Sequence, residues 1–472
     1  MTTTAPVVPP VMADEPIQPE PRANWFPATD LGNARRLVSF HGADLRYAPQ
    51  LGTWLCWDGR RWAEDVTGEA ERRAKAVVDA LFDEAGSFEG EKRSEQLKYY
   101  IKSSSAGRLR AMVELARTEP TVPVTVDQLD SEPFLLNVRN GLVDLRTGAL
   151  LPHDRARLLT KLAGTSYAPT ARAPTWSRFI DDIFNGDAEL AGFVQRFAGM
   201  CLTADVSEQT MIFAHGVGAN GKSTMLNALR AAAGGYGLQL DPRILTVAAH
   251  EAHPTGLTDL RGARLVTTIE TEAGKQLAET LVKQLTGGDP IRARRMRADY
   301  FEFMPTHKLI LAGNHLPRIN GTDHGIWRRI AVVPFEVTFE GDRQDKHLPA
   351  KLAAESPGIL RWMVEGCLEW QRSGLCVPGR VRAATADYRR TEDHLGRFIG
   401  SCCVVGDTFS VTSRALREVY EQWCEDEGER AWSAHAIGRE LLARGFDSAQ
   451  VGAARTRSWL GIGLLSEGGE RL

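Results

Sequence analysis

The 472-residue sequence lacks the segments that mark an exported or membrane-inserted protein. No uninterrupted apolar run approaches the ~20 residues that a membrane-spanning helix needs. No basic segment followed by an apolar one begins the chain, so a signal peptide is not expected. The seven cysteines include no C-x-x-C pair, and the adjacent Cys402 and Cys403 suit neither a zinc site nor a simple disulfide. We therefore expect reduced thiols in a cytosolic protein without a membrane partner.

An excess of positive charge is also missing. Lys and Arg together number 57 against 60 Asp and Glu, which gives a formal net charge of −3. This balance does not itself indicate a nucleic-acid binder, but a protein that surrounds DNA needs basic residues only along its channel. The chain has no solenoid repeat. Residues 1–170 contain no paired-aspartate polymerase motif, so primer synthesis by this chain is not expected.

The composition along the chain predicts a leader and three domains. Residues 1–24 are rich in proline and poor in large apolar side chains, which predicts disorder. Residues 25–168 combine helical periodicity with two hairpins, the second with Asn140-Gly141 at its turn. Residues 169–375 alternate strands and helices, the pattern of a parallel α/β sheet. Residues 376–472 are predicted to form a smaller module of helices that ends in a strand.

The most specific motif is Gly-Val-Gly-Ala-Asn-Gly-Lys-Ser-Thr at residues 216–224. It matches G-x-x-x-x-G-K-[ST], follows an apolar strand and precedes a helix, which is the context that the motif requires. Such a loop surrounds phosphates with backbone N–H groups, and the helix dipole adds to the attraction. We expect Lys222 to contact the β- and γ-phosphates and Ser223 to bind Mg²⁺. The predicted nucleotide-binding residues are Gly216, Gly218, Asn220, Gly221, Lys222, Ser223 and Thr224.

Two further apolar strands end in polar residues. The strand at 264–269 precedes Glu270 and Glu272, and we expect it beside the phosphate loop, where one acid holds Mg²⁺ through water and one polarises the attacking water. Glu270 is the preferred acid because it follows the strand directly, and Glu272 is alternatively a solvated acid. The strand at 308–313 precedes Asn314, which either senses the γ-phosphate and the water or is an ordinary turn residue.

Two groups of arginines lie in the same region. Arg328 and Arg329 precede another apolar strand, and an arginine there is suited to stabilise transition-state charge at a neighbouring subunit, although surface pairs are common. The run 287–303 begins with glycines and predicts a loop that leads into a basic hairpin. Its arginines favour contact with DNA phosphates, and Tyr300 or Phe301 would stack on bases. A solvated basic face is the alternative. The predicted DNA-binding residues are Lys283, Arg292, Arg294, Arg295 and Arg297.

Together these motifs resemble the helicase domain of superfamily 3, in the branch of the poxvirus and phage or plasmid primase-helicases. The segments that carry the resemblance are residues 216–224, 264–274, 283–289, 305–308, 313–317 and 325–329. Residues 140–148 and 158–161 are similar to the region that precedes the motor in this family. The tail from about residue 380 is similar to the winged-helix module that often follows it. The resemblance covers about residues 30–465.

The resemblance implies an ATP-dependent DNA helicase of phage or plasmid replication. The implied fold is an AAA+-like P-loop core with a parallel sheet, an N-terminal mainly helical domain and a C-terminal winged-helix-like module. A hexameric ring would use ATP and Mg²⁺ on single-stranded and forked DNA, in the cytoplasm of a bacterial host, with a separate primase as a possible partner. The implied catalytic residues are Lys222, Glu270, Glu272, Asn314 and, acting in trans, Arg328. Thr271 separates two acids that are often adjacent in relatives, so either one remains a candidate general base.

Two other classes of function fit the same motifs. An origin-binding initiator or loader would use its ATPase as an assembly switch, and its C-terminal module would bind a specific duplex site. The arginines that keep this alternative open are Arg389, Arg390, Arg414, Arg417, Arg455 and Arg457. A regulatory or defence NTPase would sense nucleic acid without unwinding it. Robust strand displacement would separate the helicase from both.

Overall fold

The computed structural model describes residues 26–247, 254–269, 274–294, 300–319, 324–429, 431–451 and 455–465. The predicted leader at 1–24 lies outside these residues. None of the helices in these ranges is both long and apolar enough to cross a membrane. The chain divides into two compact units: one comprises the described residues up to Ser131 with His153–Lys161, and the other comprises Glu132–Pro152 and the described residues from Leu162 onward.

The first unit combines helices with a small antiparallel sheet of order β1-β2-β3. Its elements are α1 (Asp30–His41), β1 (Leu45–Ala48), β2 (Thr53–Trp57), β3 (Trp62–Glu64), α2 (Glu69–Ala85), α3 (Gly90–Ser103) and α4 (Ala106–Ala116). Leu37, Val77 and Met112 bring α1, α2 and α4 into one apolar core. The mainly helical character predicted for the N-terminal region is therefore confirmed.

The second unit begins with two hairpins and a helical pair. These elements are β4 (Leu135–Val138), β5 (Gly141–Asp144), β6 (Ala149–Leu151), α5 (Pro174–Ile183) and α6 (Ala188–Met200). Leu136 and Val143 share a core with Trp176 and Phe197. Because the apolar side chains of the two hairpins pack on α5 and α6, residues 132–152 group with the second unit. The sequence had placed them within the predicted domain 25–168.

A parallel sheet occupies the centre of the second unit. The elements from this sheet to the end of its helical layers are β7 (Met211–His215), α7 (Lys222–Ala233), β8 (Gly237–Gln239), β9 (Leu265–Ile269), α8 (Glu279–Leu285), β10 (Ile291–Arg294), β11 (Tyr300–Phe303), β12 (Lys308–Gly313), α9 (His324–Trp327), β13 (Ile330–Pro334), α10 (Leu348–Ala354), α11 (Ser356–Ser373) and α12 (Gly379–Glu392). Five parallel strands follow the order β13-β7-β12-β9-β8. Apolar cores cover both faces, which explains why the strands are apolar runs rather than alternating ones. The predicted α/β fold class with a P-loop sheet is confirmed.

The strand order corrects one expectation about the site. We expected the acidic strand β9 beside the loop that follows β7. Instead β12 lies between them, paired with β7 on one side and β9 on the other. Strand order is set by packing between distant segments, which the local pattern of each strand does not contain. Asn314, which follows β12, is therefore the central polar residue of this sheet edge.

A C-terminal module completes the second unit. Its elements are α13 (His394–Cys402), β14 (Cys403–Thr412), α14 (Ser413–Asp426), α15 (Ala434–Ala443), β15 (Asp447–Val451) and β16 (Thr456–Leu464), with an antiparallel sheet of order β14-β16-β15. This helix–strand–helix–helix–strand–strand order is that of a winged helix. The core of the module, around Phe398, Tyr420 and Trp459, starts at α13. The preceding helix α12 instead packs on β13, and the Val332 N–H donates to the Thr385 hydroxyl over 3.0 Å.

Candidate nucleotide-binding site

The phosphate loop connects the carboxyl end of β7 to α7, and close contacts with the segment after β13 fix its shape. A methyl group on Gly216 would lie 2.1 Å from the carbonyl oxygen of Phe335, so the chain tolerates only glycine there. The Asn220 amide donates to that same oxygen over 3.2 Å. Gly221 has a φ of +85° and packs on Phe179, which again favours glycine. The first N–H groups of α7 have no partner within the helix and are available to an anion.

Lys222 is buried at the first position of α7. Its ammonium donates to the Gly216 carbonyl over 2.5 Å, to Oδ1 of Asn220 over 3.0 Å and to Oδ1 of Asn314 over 3.2 Å. Burial lowers the pKa of this ammonium from its ordinary value. The oxygen contacts favour the charged form, so the side chain is a cation inside the loop. This cation can exchange its neutral oxygen partners for phosphate oxygens.

A cavity of about 290 Å³ brings most of the predicted nucleotide-binding residues together with Asn314. Its lining consists of Gly218, Ala219, Asn220, Gly221, Lys222, Ser223, Thr224, Ile269, Ala312, Gly313 and Asn314. Ile269 is the last residue of the acidic strand β9. Glu270 and Glu272 lie outside the described residues, but the strand that leads to them ends at this cavity. Ser223 lines the same space, as expected for a residue predicted to bind Mg²⁺.

The donor set for a metal ion is limited. Within the described part of the chain, no group of three or more His, Cys, Asp and Glu side chains could hold a metal ion. A Mg²⁺ ion at the phosphates usually keeps several waters and takes few protein ligands. The Ser223 hydroxyl is a ligand that such a weakly held ion would accept, whereas Glu270 and Glu272, the other predicted ligands, lie outside the described residues.

A second cavity of about 540 Å³ adjoins the phosphate loop, and no motif in the sequence predicts it. It shares Ala219, Gly221 and Thr224 with the loop. Its apolar walls come from α5 and the segment around α10, through Phe179, Phe339 and Leu348. Its cations are Arg178, Arg343, Lys346 and Lys351. The only sign of this cavity in the sequence is the set of apolar positions of an amphipathic helix. Packing of that helix on the core of the sheet explains these positions equally well.

Arg328 does not lie at this cavity. It precedes the amino end of β13, where Ile330 pairs with Met211 at the amino end of β7. The phosphate loop follows the opposite end of β7, a five-residue strand or roughly 16 Å away. The exposed Arg328 guanidinium donates to Oε1 of Gln209 over 2.9 Å, and the buried Arg329 donates to the Gly325 carbonyl over 2.6 Å. Of the two arginines, Arg328 is the one that faces outward.

The predicted basic hairpin is present. Strands β10 and β11 pair antiparallel, with Arg294 opposite Tyr300. Arg292 and Arg294 are exposed on one face, and their guanidinium carbons lie 4.5 and 5.0 Å from the Tyr300 ring centre. Phe301 instead packs near Phe303 against the core. Lys283 is half-buried near the end of α8, while Arg295 and Arg297 lie outside the described residues.

Comparison with protein families finds two matches along the chain. The model described as "D5 N terminal like" matches residues 34–185. A model described as a family of unknown function (DUF5906) matches residues 214–329, which contain the phosphate loop and the basic hairpin. A protein of Acanthamoeba polyphaga mimivirus, named as a candidate helicase, is 27% identical over 308 residues, which are 60% of this chain and 32% of that protein. These matches support a relationship to the viral and phage type of primase-helicases.

Other relatives of this chain share less sequence identity with it. A protein of African swine fever virus named as a candidate primase is 24% identical over 329 residues, or 63% of this chain and 34% of that protein. The chain thus spans about a third of the length of these curated relatives. A solved structure described as the A form apo structure of the NrS-1 C terminal region covers 94% of this chain and 100% of that one, with a TM-score of 0.52 and 12% identity. This likeness supports the fold.

Proposed function

We propose that this chain is the ATP-hydrolysing motor of a replicative DNA helicase. The observation that carries the proposal is the cavity shared by the phosphate loop, the end of β9 and Asn314. The segment between β9 and β12 includes the basic hairpin β10–β11. Both strands that bound this segment end at the nucleotide cavity. Nucleotide chemistry and the proposed DNA contact are therefore connected through short stretches of the same chain.

The proposed chemistry assigns one task to each side chain. Lys222 neutralises the β- and γ-phosphate oxygens, and bound Mg²⁺ would supply further charge stabilisation there. Glu270, or Glu272, orients and polarises the attacking water. Asn314 donates its amide to the γ-phosphate or to that water, because a preorganised donor favours the charge that develops in the transition state. The second cavity holds the nucleoside, with the base against Phe339 and Leu348.

Arg328 completes the site of a neighbouring subunit. It is exposed at the sheet edge opposite its own phosphate loop. An arginine in that place is suited to the γ-phosphate of an adjacent molecule, where it would stabilise transition-state charge. The arrangement supports a closed ring, proposed to be a hexamer, in which each site uses two subunits. In such a ring the hairpins face a common pore, where Arg292 and Arg294 hold the phosphates of single-stranded DNA and Tyr300 stacks on a base.

The proposal is tested by ATP turnover with and without single-stranded DNA. We expect DNA to raise the turnover of the intact chain. Lys222→Ala should lower turnover by ~10²-fold or more, as does the loss of one transition-state donor elsewhere. Lys98→Ala removes the same charge from an exposed position of α3 and serves as the matched control. Equal turnover in Lys222→Ala and Lys98→Ala would contradict the assignment of the phosphate loop.

A further inference from the structure

One amide oxygen contacts both arginines that precede β13. Oε1 of Gln209 accepts a hydrogen bond from Nη2 of Arg328 over 2.9 Å and another from Nη2 of Arg329 over 3.3 Å. An amide oxygen has two lone pairs, so these two bonds use its full capacity. Arg329 is buried and also donates to the Gly325 carbonyl, whereas Arg328 is exposed. Gln209 therefore ties the outward-facing arginine to a buried and well-held one.

The turn that carries Gln209 is anchored from two sides. Trp370 on α11 donates its indole N–H to Oε1 of Glu208 over 2.8 Å. The buried ammonium of Lys308, at the start of β12, donates to the Asp205 carbonyl over 3.2 Å. Because the residues around it are fixed by these contacts, the Gln209 side chain extends from a defined point.

The backbone of Gln209 is in an unusual conformation. Its φ is +49°, in the left-handed region that non-glycine residues seldom adopt. Asparagine and glycine are better suited than glutamine to this region. The backbone therefore gives no reason for a glutamine at this position, and its longer side chain, which reaches the arginines, does. Residues in such conformations concentrate at functional sites, where the surrounding structure holds them.

We propose that Gln209 positions Arg328 for the γ-phosphate bound by the neighbouring subunit, an inference that rests on the role proposed for Arg328. A free arginine side chain has many rotamers, and their loss opposes its binding to a phosphate. The bond to Gln209 restricts them in advance. It engages Nη2 alone, while Nε and Nη1 of Arg328 make no hydrogen bond within the part of the chain that the structure describes. These two nitrogens remain available for a paired contact with phosphate oxygens.

The neutral charge of the Gln209 amide also suits this task. Exposed arginines elsewhere in the chain pair with carboxylates, as Arg417 does with Glu421 over 2.6 Å. Arg328 makes no ion pair with any residue of the described ranges. A carboxylate in place of the amide would neutralise the guanidinium and compete with the phosphate for it. A neutral acceptor orients Arg328 and leaves it the charge that stabilises the transition state.

The test is steady-state ATP turnover by the full chain with the substitution Gln209→Asn. Asparagine tolerates a positive φ and keeps the amide, but its side chain is shorter by one C–C bond, or about 1.5 Å. The amide oxygen then no longer reaches hydrogen-bond distance of Arg328. Gln422→Asn makes the same change at an exposed position of α14 and is the matched control. Thermal unfolding checks that both variants are folded.

We expect kcat to fall about tenfold or more in Gln209→Asn, which is the effect of losing one hydrogen bond to a charged group. KM should stay as in the wild type, because Arg328 acts on charge that develops only in the transition state. Gln422→Asn should match the wild type in both constants. In a chain that already carries Arg328→Ala, the addition of Gln209→Asn should slow turnover no further, because the residue that it positions is gone.

A wild-type kcat in folded Gln209→Asn, with Arg328→Ala slow, would overturn the role of Gln209 and leave the proposed function intact. A further loss in the double variant, equal to the loss from Gln209→Asn alone, would also overturn it, because Gln209 would then act through the fold or through Arg329. Normal turnover in Arg328→Ala would contradict the proposed site between subunits and this inference with it.

Discussion

The Lys222 ammonium lies 3.2 Å from Oδ1 of Asn314, so the phosphate loop and the end of β12 are joined by a hydrogen bond. Lys222 is also held by the Gly216 carbonyl and by Asn220. Phosphate oxygens carry full charge and make stronger hydrogen bonds to an ammonium than these neutral acceptors do. A nucleotide would therefore become a further partner of Lys222. The two residues are coupled because the hydrogen bond to Oδ1 orients the Asn314 amide, whose N–H groups remain available to the γ-phosphate.

Replacement of Asn314 by Ala tests this coupling. We expect kcat for ATP to fall by ~10²-fold, because a transition-state donor is lost. Nucleotide affinity, measured with a fluorescent ATP analogue, should change much less, since Lys222 and the loop N–H groups remain. Asn227→Ala, at an exposed position of α7, is the matched control. Unchanged turnover in Asn314→Ala would show that Asn314 is only a turn residue.

The proposed action of Arg328 on a neighbouring subunit is testable by mixing inactive subunits. Arg328→Ala should bind nucleotide normally but hydrolyse it ~10³-fold more slowly, the lower end of the range for such arginines. Mixed with Lys222→Ala, it should regain activity, because some interfaces then combine an intact phosphate loop with an intact Arg328. The doubly substituted chain, mixed in the same way, should restore nothing. Absence of recovery in the first mixture, with rings formed, would argue for a site within one subunit.

The basic hairpin is tested through DNA stimulation. Arg292→Ala with Arg294→Ala removes both exposed guanidinium groups beside Tyr300. We expect the ratio of DNA-stimulated to basal turnover to fall towards one, because phosphate contacts supply most non-specific affinity. Arg372→Ala with Arg382→Ala, at exposed positions of α11 and α12, controls for the loss of two charges. Full stimulation in the hairpin variant would mean that DNA engages another part of the chain.

His307 gives the stability of the fold a defined pH dependence. Its side chain is 1% exposed, neither ring nitrogen has a hydrogen-bond partner within the described residues, and burial lowers its pKa to about 3. Below the ordinary histidine pKa of ~6.5, His307 is protonated in the unfolded chain but stays neutral in the folded chain. The free energy of unfolding therefore falls as the pH decreases from about 6.5 towards 3. At pH 5 the loss is ~2 kcal/mol relative to neutral pH.

Denaturant unfolding of His307→Phe should therefore show a flatter pH profile than the wild type between pH 7 and pH 5. The other histidines contribute equally to both proteins, so the difference isolates His307. His347→Phe, at an exposed position before α10, should keep the wild-type profile. If the profiles of wild type and His307→Phe coincide, His307 takes up its proton in the folded state.

Local patterns predicted the parts of this molecule that depend on neighbouring residues in the sequence. The glycines and Lys222 predicted the phosphate loop. The apolar run before Asn314 predicted that this residue follows a strand, and alternating residues predicted the hairpin β10–β11. Contacts between distant segments were not accessible in this way. The position of β12 between β7 and β9 and the packing of residues 132–152 on α5 and α6 are of this kind. Phe179 and Phe339 were missed because an apolar side chain that lines a cavity looks like a core residue.

The most direct test of the motor proposal is strand displacement from a forked DNA duplex by the intact chain with ATP and Mg²⁺. We expect the wild type and Lys98→Ala to release the labelled strand, and Lys222→Ala to release none above background. Release that continues unchanged in Lys222→Ala would contradict a motor powered by this phosphate loop. Hydrolysis by the wild type with no displacement on any fork would contradict the helicase and favour the initiator or sensor classes.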